Sequence, residues 1–264
     1  MKIPFTKAHG ARNDFLLTWR TDLPPGIDAA AASVAICDRN TGVGADGWLL
    51  VSQGSGEAQG AIELWNSDGS RSEISGNGTR CAAALLIDTG GSSDDVKIAT
   101  GAGLKHLRLL ERRGRRFSFE MNMGSARIEE LQVQVEGRDC VILNVGNPQC
   151  AFLVSDFAFE WQSLGAIVER LPRFPNRTNV SFVRVVDRHT LDVRFFERGA
   201  GETMSSGTGS TGAGAAALAR GLVESPVRVM TPAGPLELRW QGDDILLAGP
   251  AEIVAAGEFY WEGN

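Results

Sequence analysis

The sequence lacks a long apolar run and an excess of positive charge, and both absences narrow the function. None of its 264 residues belongs to an uninterrupted apolar stretch of about eighteen, the length that crosses a bilayer. The net charge of -6 argues against a nucleic acid partner, because such proteins concentrate positive charge. The first ten residues also lack the apolar core of a signal peptide. We therefore expect a cytoplasmic protein without a membrane or nucleic acid partner.

Cysteine and histidine are scarce, and neither follows the spacing of a metal site. The 4 cysteines form no CxxC pair and the 3 histidines are isolated, so we expect no metal. In a reducing compartment such cysteines act as small buried hydrophobes. They are Cys37, Cys81, Cys140 and Cys150. A cluster of arginines flanks Gly114 between two alternating segments, and this pattern predicts the solvated tip of a hairpin.

The remaining composition is that of a globular chain able to bury a sizeable core. It is 43% hydrophobic and 22% charged, and its length allows one large or two ordinary domains. Alternating segments such as VKIAT, FSFEMNM and LDVRFFERG predict many strands. Fewer segments predict helices: 28–38, 77–88, 161–170 and 208–221. The second and fourth are apolar nearly all round, which indicates burial within sheets and an α+β fold.

An internal repeat is the most informative feature. SGNGT begins at Ser75, SGTGS begins at Ser206, and about half of the chain separates them. Each stretch directly precedes an alanine-rich helix. This predicts two similar halves, residues 1–118 and 119–264, each carrying one serine turn. The boundary is expected near Gly114 to Met123, with the C-terminal strands as candidates for crossing back to the first half.

A glycine-rich turn at a helix N-terminus suits an anionic group. The first backbone N–H groups have no intrahelical acceptor, and the helix dipole favours negative charge. Neither turn has the lysine of a phosphate loop, so a carboxylate fits better than a phosphate. For a lone serine, simple N-capping would be the preferred interpretation. Two matched serines in glycine-rich turns favour a ligand site in which both turns converge on one cleft.

Six segments in order resemble the diaminopimelate epimerase family over nearly the whole chain. They are residues 7–15, 38–51, 65–81, 144–150, 173–183 and 197–209. The resemblance implies two pseudo-symmetric halves, each a β-sheet wrapped around a central helix. It also implies an isomerase of lysine and cell-wall precursor synthesis that needs no cofactor and inverts the α-carbon of a diaminopimelate-like amino acid. A homodimer is compatible with this resemblance.

The resemblance also implies the site, and this chain departs from the family at the bases. Inversion needs a base on each face of the α-carbon, and the family uses two cysteines. Their positions are occupied here by Ser75 and Ser206. Gln149 occupies the position of the family histidine that helps one cysteine to ionise. The acid that is the counterpart of this histidine in the family is retained as Glu197. Arg12 occupies the position of a glycine in the family. Because the changes at Arg12 and Gln149 accompany the two serines, they favour natural divergence over serines introduced by engineering.

The residues that hold the substrate in the family are retained by resemblance. They include four asparagines, one arginine and the amide-bearing residues of both turns. Their positions here are Asn13, Asn66, Asn147, Asn179, Arg198, Gly76, Asn77, Gly207 and Thr208.

The serines set an energetic limit on any thiol-like mechanism. A thiol has a pKa of about 8.5, whereas a hydroxyl lies near the value of about 15.7 for water. The difference is on the order of 10 kcal/mol, and a helix dipole offsets only about 1–2 kcal/mol of it. Three functions stay open: a slow or divergent epimerase, an amino-acid-binding homologue without turnover, and a one-base isomerase or dehydratase.

Overall fold

The computed structural model describes residues 1–90 and 94–263, which form two compact units. The first unit comprises Met1–Met121 and Gly249–Asn264, and the second comprises Asn122–Ala248. Strands dominate both units, and each also contains two α-helices within the described residues. The α+β class predicted from the sequence is confirmed.

The N-terminal elements are eight strands and two helices. They are β1 (Lys2–Gly10), β2 (Asn13–Trp19), α1 (Ala29–Cys37), β3 (Gly47–Gln53), β4 (Gly60–Asn66), β5 (Arg71–Ser72), α2 (Gly76–Asp88), β6 (Asp95–Thr100), β7 (Gly103–Arg113) and β8 (Arg116–Ser125). In the first unit α2 packs against β1, β2, β3, β4 and β6. The second predicted helix therefore lies against the sheet of its own unit, as its apolar surface requires.

The remaining elements are nine strands and two helices. They are β9 (Arg127–Val135), β10 (Arg138–Asn144), β11 (Pro148–Leu153), α3 (Trp161–Glu169), β12 (Asn179–Asp187), β13 (Thr190–Glu197), β14 (Gly201–Thr203), α4 (Gly207–Ala219), β15 (Val227–Thr231), β16 (Gly234–Gln241) and β17 (Asp244–Tyr260). In the second unit α4 packs against β9 to β13 and against β15 and β16.

The strand pairings within each unit follow the same succession of directions. In the first unit β1 pairs antiparallel with β17 and β2, β2 pairs parallel with β3, and β3 pairs antiparallel with β4. β4 then pairs parallel with β6, and β6–β7 and β7–β8 are antiparallel. From β9 through β10, β11, β12, β13, β15, β16 and β17, the second unit gives the same order of antiparallel and parallel neighbours.

All four predicted helices are present, and their starts follow from side-chain caps or buried packing. The carboxylate of Asp28 caps α1 by accepting from the amides of Ala30 and Ala31. Ser75 and Ser206 cap α2 and α4. α4 is rich in small residues because the sheet lies close: a Cβ at Gly214 would stand 2.3 Å from a methyl carbon of Leu238.

The cysteines and the arginine cluster are also where the sequence predicts them. All four cysteines are buried and free. Burial raises the pKa of the Cys37 and Cys81 thiols to about 12, so both stay protonated and unreactive. The arginines lie at the turn between β7 and β8, where Arg113 pairs with Arg116 and both are exposed. Across residues 1–90 and 94–263, no helix combines the length and apolarity of a membrane span.

Candidate active site

The Ser75 turn opens the buried helix α2 in the first unit. Ser75 has extended backbone angles (φ -128°, ψ 122°), and its Oγ accepts from the N–H of Gly78 at 3.1 Å. Gly76 and Asn77 follow as buried residues of the first helical turn. In the part of the chain that the structure describes, the Ser75 hydroxyl has no carboxylate partner. This turn therefore offers amides and a hydroxyl, without a neighbouring base for that hydroxyl.

Two of the predicted substrate-binding asparagines meet beside this turn. The Nδ2 of Asn77 donates to the Oδ1 of Asn13 at 3.1 Å, and Asn13 donates in turn to the carboxylate of Asp46 at 2.7 Å. Asn66 lies apart from this pair, since its side-chain amide donates to the Oγ of Ser70 within the turn after β4. The side-chain hydrogen bonds therefore link Asn13 and Asn77, and they do not include Asn66.

The backbone conformation at Arg12 explains why a glycine suits the position before Asn13. Arg12 lies in the turn between β1 and β2 with φ 62°, in the left-handed region where a side chain is strained. Its side chain is exposed, and its backbone N–H points to a ring nitrogen of His9 at 3.4 Å. The turn conformation is thus the one a glycine would adopt without strain. The arginine carries that strain on the protein surface.

The Ser206 turn of the second unit differs from the Ser75 turn by one charged partner. Ser206 has nearly the same backbone angles (φ -136°, ψ 126°), and its Oγ accepts from the N–H of Gly209 at 3.0 Å. The same Oγ donates to Glu197 Oε1 at 2.6 Å, and Thr203 donates to Glu197 Oε2 at 2.8 Å. Because the hydroxyl proton already points at a carboxylate, it can move there when Oγ accepts another proton.

Gln149 lies in β11 against α4 and is fully buried. Its Nε2 donates to the Oδ1 of Asn147 at 2.6 Å, and Asn147 donates to the hydroxyl of Thr208 at 3.3 Å. Its Oε1 has no hydrogen-bond partner among the described residues. A neutral amide cannot take up a proton as histidine does, so Gln149 orients Asn147 and does not act as a base.

Asn179 and Arg198 are joined through the backbone. The N–H of Arg198 donates to the Oδ1 of Asn179 at 3.0 Å, and the Nδ2 of Asn179 donates to the carbonyl of Pro148 at 3.1 Å. The neighbouring Gly199 N–H donates to Glu169, a carboxylate that is only 2% exposed as a residue and pairs with Arg177. This buried acid fixes the turn that carries Arg198.

The sequence did not single out several residues that support these turns. Thr203 lies just before the Ser206 turn, and Arg80 lies in the helix that follows Ser75. Closeness to the two serines was therefore the signal that the sequence offered for these residues. Asp46 and Glu169 gave no comparable signal, because each reaches its site through folding of distant segments. Asp46 is 33 residues from Asn13, and Glu169 is 30 residues from Gly199.

The unequal partners of the two serines predict unequal stability losses. Ser75→Ala should lower the free energy of unfolding by about 1 kcal/mol, the usual value of an N-cap. Ser206→Ala should cost about 2–3 kcal/mol, because it also removes a hydrogen bond to a charged group. Urea denaturation of both variants measures the difference.

A double-mutant cycle identifies the source of that difference. Glu197→Gln should destabilise the natural protein more than it destabilises the Ser206→Ala variant, because only the natural protein has the Ser206 hydrogen bond to lose. Equal losses for the two serine variants, with no coupling to Glu197, would contradict the assigned hydrogen bond.

Comparison with known proteins finds relatives that match nearly the whole chain. The sequence profile described as Diaminopimelate epimerase matches residues 5–129 and 141–254. Proteins named diaminopimelate epimerase from Pelotomaculum thermopropionicum and Moorella thermoacetica are each 36% identical to the chain. In both cases the alignment covers 97% of this chain and 98% of the relative.

Solved structures with low sequence identity share the fold. A hydroxyproline epimerase from Agrobacterium vitis, solved with trans-4-hydroxy-L-proline, superposes with a TM-score of 0.73 at 15% identity and covers 97% of this chain and 90% of that one. A PhzF-family phenazine biosynthesis protein from Bacillus anthracis has a TM-score of 0.74 at 15% identity and covers 99% and 100%. By its sequence profile and its full-length relatives, this chain belongs to the diaminopimelate epimerase family.

Proposed function

We propose that the protein is a cofactor-independent isomerase that acts on the α-carbon of a diaminopimelate-like amino acid. In this proposal the Ser75 and Ser206 turns approach opposite faces of that carbon, one from each pseudo-symmetric half of the chain. The shared succession of strand pairings and the matched backbone angles of the two serines support such halves. The names of the full-length relatives support the substrate class.

The hydrogen bond from Ser206 to Glu197 is the observation that carries the proposal. A free serine alkoxide would cost on the order of 10 kcal/mol more than a thiolate. The 2.6 Å bond avoids that species, because Oγ can accept the α-proton while its own proton passes to Glu197. The substrate is left as a carbanion beside its carboxylate, and Glu197 holds the equivalent of the removed proton.

The amides at the start of each helix would stabilise the negative charge that develops in this step. Backbone N–H groups of Gly76, Asn77, Gly207 and Thr208 lie in the first helical turns, where the dipole favours an anion. Asn147 and Asn179 with Arg198 would hold the rest of the amino acid. Arg198 supplies a guanidinium that pairs well with a distal carboxylate.

The Ser75 face limits the rate. Its hydroxyl accepts from Gly78 and has no carboxylate to exchange protons with in the described part of the chain. Gln149 cannot accept a proton in place of the family histidine. Delivery of a proton from this face is therefore slow, and removal at the Ser206 face is the faster step.

A second candidate is a one-base reaction on the same scaffold, such as a proton shift or loss of water from a hydroxylated amino acid. The same difference between the two serines favours it, since one competent base is sufficient for those reactions. Glu197 with Ser206 would then remove the α-proton, and no second face would be needed.

Exchange of the α-hydrogen in heavy water should be faster than inversion. A base that returns its deuteron to the same face labels the substrate and keeps its configuration. LL- and meso-diaminopimelate are incubated with the protein, deuterium is measured by mass spectrometry, and configuration by chiral chromatography. We expect label in one configuration well before its epimer accumulates, and loss of labelling in Glu197→Gln.

Three other outcomes are distinguishable. Equal rates of labelling and inversion would contradict the assigned difference between the serines. If no deuterium is incorporated but diaminopimelate raises the thermal stability, the protein binds the amino acid without isomerising it. Such stabilisation reaches about 2.7 kcal/mol at a ligand concentration of 100 times the dissociation constant. Loss of water from hydroxyamino acids in the same assay would establish the second candidate.

Restoring the thiol chemistry should raise the rate of inversion. The triple change Ser75→Cys, Ser206→Cys and Gln149→His lowers the cost of forming each base, because a thiol ionises about seven pKa units more readily. We expect epimerisation to become at least about a hundredfold faster, a range consistent with added acid–base catalysis. Chiral chromatography of diaminopimelate follows the reaction.

The matched control adds Glu197→Gln to the triple variant. This change should slow epimerisation again, because the acid beside position 206 is lost. A folded triple variant that binds diaminopimelate but gains no activity would refute the assignment of the two serines to the base positions.

A further inference from the structure

A continuous line of side-chain hydrogen bonds runs beside the Ser75 turn. Arg80 Nη2 donates to the Oδ1 of Asn77. Asn77 Nδ2 donates to the Oδ1 of Asn13 at 3.1 Å, and Asn13 Nδ2 donates to Asp46 Oδ2 at 2.7 Å. Two amides are thus held between a cation and an anion, and all four residues belong to the first unit.

The charged ends determine the direction of every bond in this line. A guanidinium can only donate, so the atom of Asn77 facing Arg80 must be its oxygen. An ionised carboxylate can only accept, so the atom of Asn13 facing Asp46 must be its nitrogen. The central bond then has one possible direction, from Asn77 to Asn13. Turning either amide over would lose its two bonds within this line and would place like groups against each other.

The cationic end is held rigidly. Arg80 is fully buried in α2, and its Nε donates to the carbonyl of Pro250 at 3.1 Å. No carboxylate of the described residues pairs with it, and its Nη1 has no hydrogen-bond partner there. Burial lowers the pKa of Arg80 to about 10, which leaves it charged at neutral pH. Burying a charge without an acid partner costs stability. We therefore infer that Arg80 has a role through the groups it contacts.

The anionic end is tied to a separate part of the chain. Asp46 Oδ1 accepts from Arg39 at 2.7 Å, and Asp46 Oδ2 also accepts from the backbone N–H of Asp14 at 3.1 Å. The backbone N–H of Asp46 donates to the carbonyl of Asp14 at 2.9 Å. These bonds place the carboxylate next to the start of β2, where Asn13 begins the strand.

We propose that Arg80 and Asp46 are positioning residues that hold the side-chain amides of Asn77 and Asn13 in one orientation for the ligand. This rests on the proposed function in one respect, namely that Asn13 and Asn77 contact the amino acid. Arg80 and Asp46 act through the two amides. Fixing the amides in advance spares the protein their ordering when the ligand binds.

Side-chain amide signals in ¹⁵N–¹H NMR spectra of the free protein test the line directly. Asp46→Asn should shift the signals of Asn77 as well as those of Asn13, although Asp46 is hydrogen-bonded to the side-chain amide of Asn13 and not to that of Asn77. Arg80→Lys should shift the signals of Asn13 through Asn77. Each variant should also bind diaminopimelate about tenfold more weakly, the effect of one misaligned hydrogen bond.

Asp38→Asn is the matched control. The Asp38 carboxylate accepts from Asn40 and Thr41 of its own turn, so this variant should leave both amide signals in place. Asp46 is partly exposed, so Asp46→Asn alone decides the matter if Arg80→Lys does not fold. Unmoved Asn77 signals in folded Asp46→Asn would overturn the proposal.

The measurement separates this proposal from the proposed function, because the spectra are recorded without ligand. Coupled amide signals in a protein that binds no diaminopimelate would support the fixed orientation and refute the ligand. Uncoupled signals in a protein that labels diaminopimelate in heavy water would refute the fixed orientation and support the isomerase.

Discussion

The structure depends on one local interaction that occurs twice: a serine hydroxyl accepts the N–H three residues ahead and starts a buried helix. This bond leaves the first amides of α2 and α4 oriented together at the helix start. Each helix packs against the sheet of its own unit, so its start cannot move without disturbing that core. Each unit therefore has a fixed helix start whose first amides are suited to an anion.

The two turns share this scaffold but differ in proton chemistry. Ser206 donates to Glu197, whereas Ser75 has no acid partner in the described part of the chain. A serine can work as a base only when its proton has somewhere to go. Under the proposed function, proton transfer is therefore faster at Ser206 than at Ser75.

The elements and the repeat could be predicted because their signals are local. Alanine-rich helices after matched serines, and strand alternation between turns, are visible within short windows of sequence. The same holds for the arginine-bearing hairpin turn. The left-handed conformation of Arg12 could not be predicted from its own side chain, since arginine rarely adopts it.

The supporting residues of the site were missed for a different physical reason. Asp46 and Glu169 meet their partners only after strands far apart in sequence have paired. Arg80 is a charged residue in a helical segment, yet it is completely buried. Burial of a charge is decided by the whole fold, so no short window reveals it. The sequence resemblance located the proposed ligand-binding residues but not the hydrogen bonds that position them.

A crystal structure with bound diaminopimelate tests the central claim most directly, through the positions of the two serine Oγ atoms around the ligand. The account predicts the α-carbon between Ser75 and Ser206, with its carboxylate on the amides of the two helix starts. Hydroxyls on separate surfaces, or an α-carbon that touches only one turn, would contradict it.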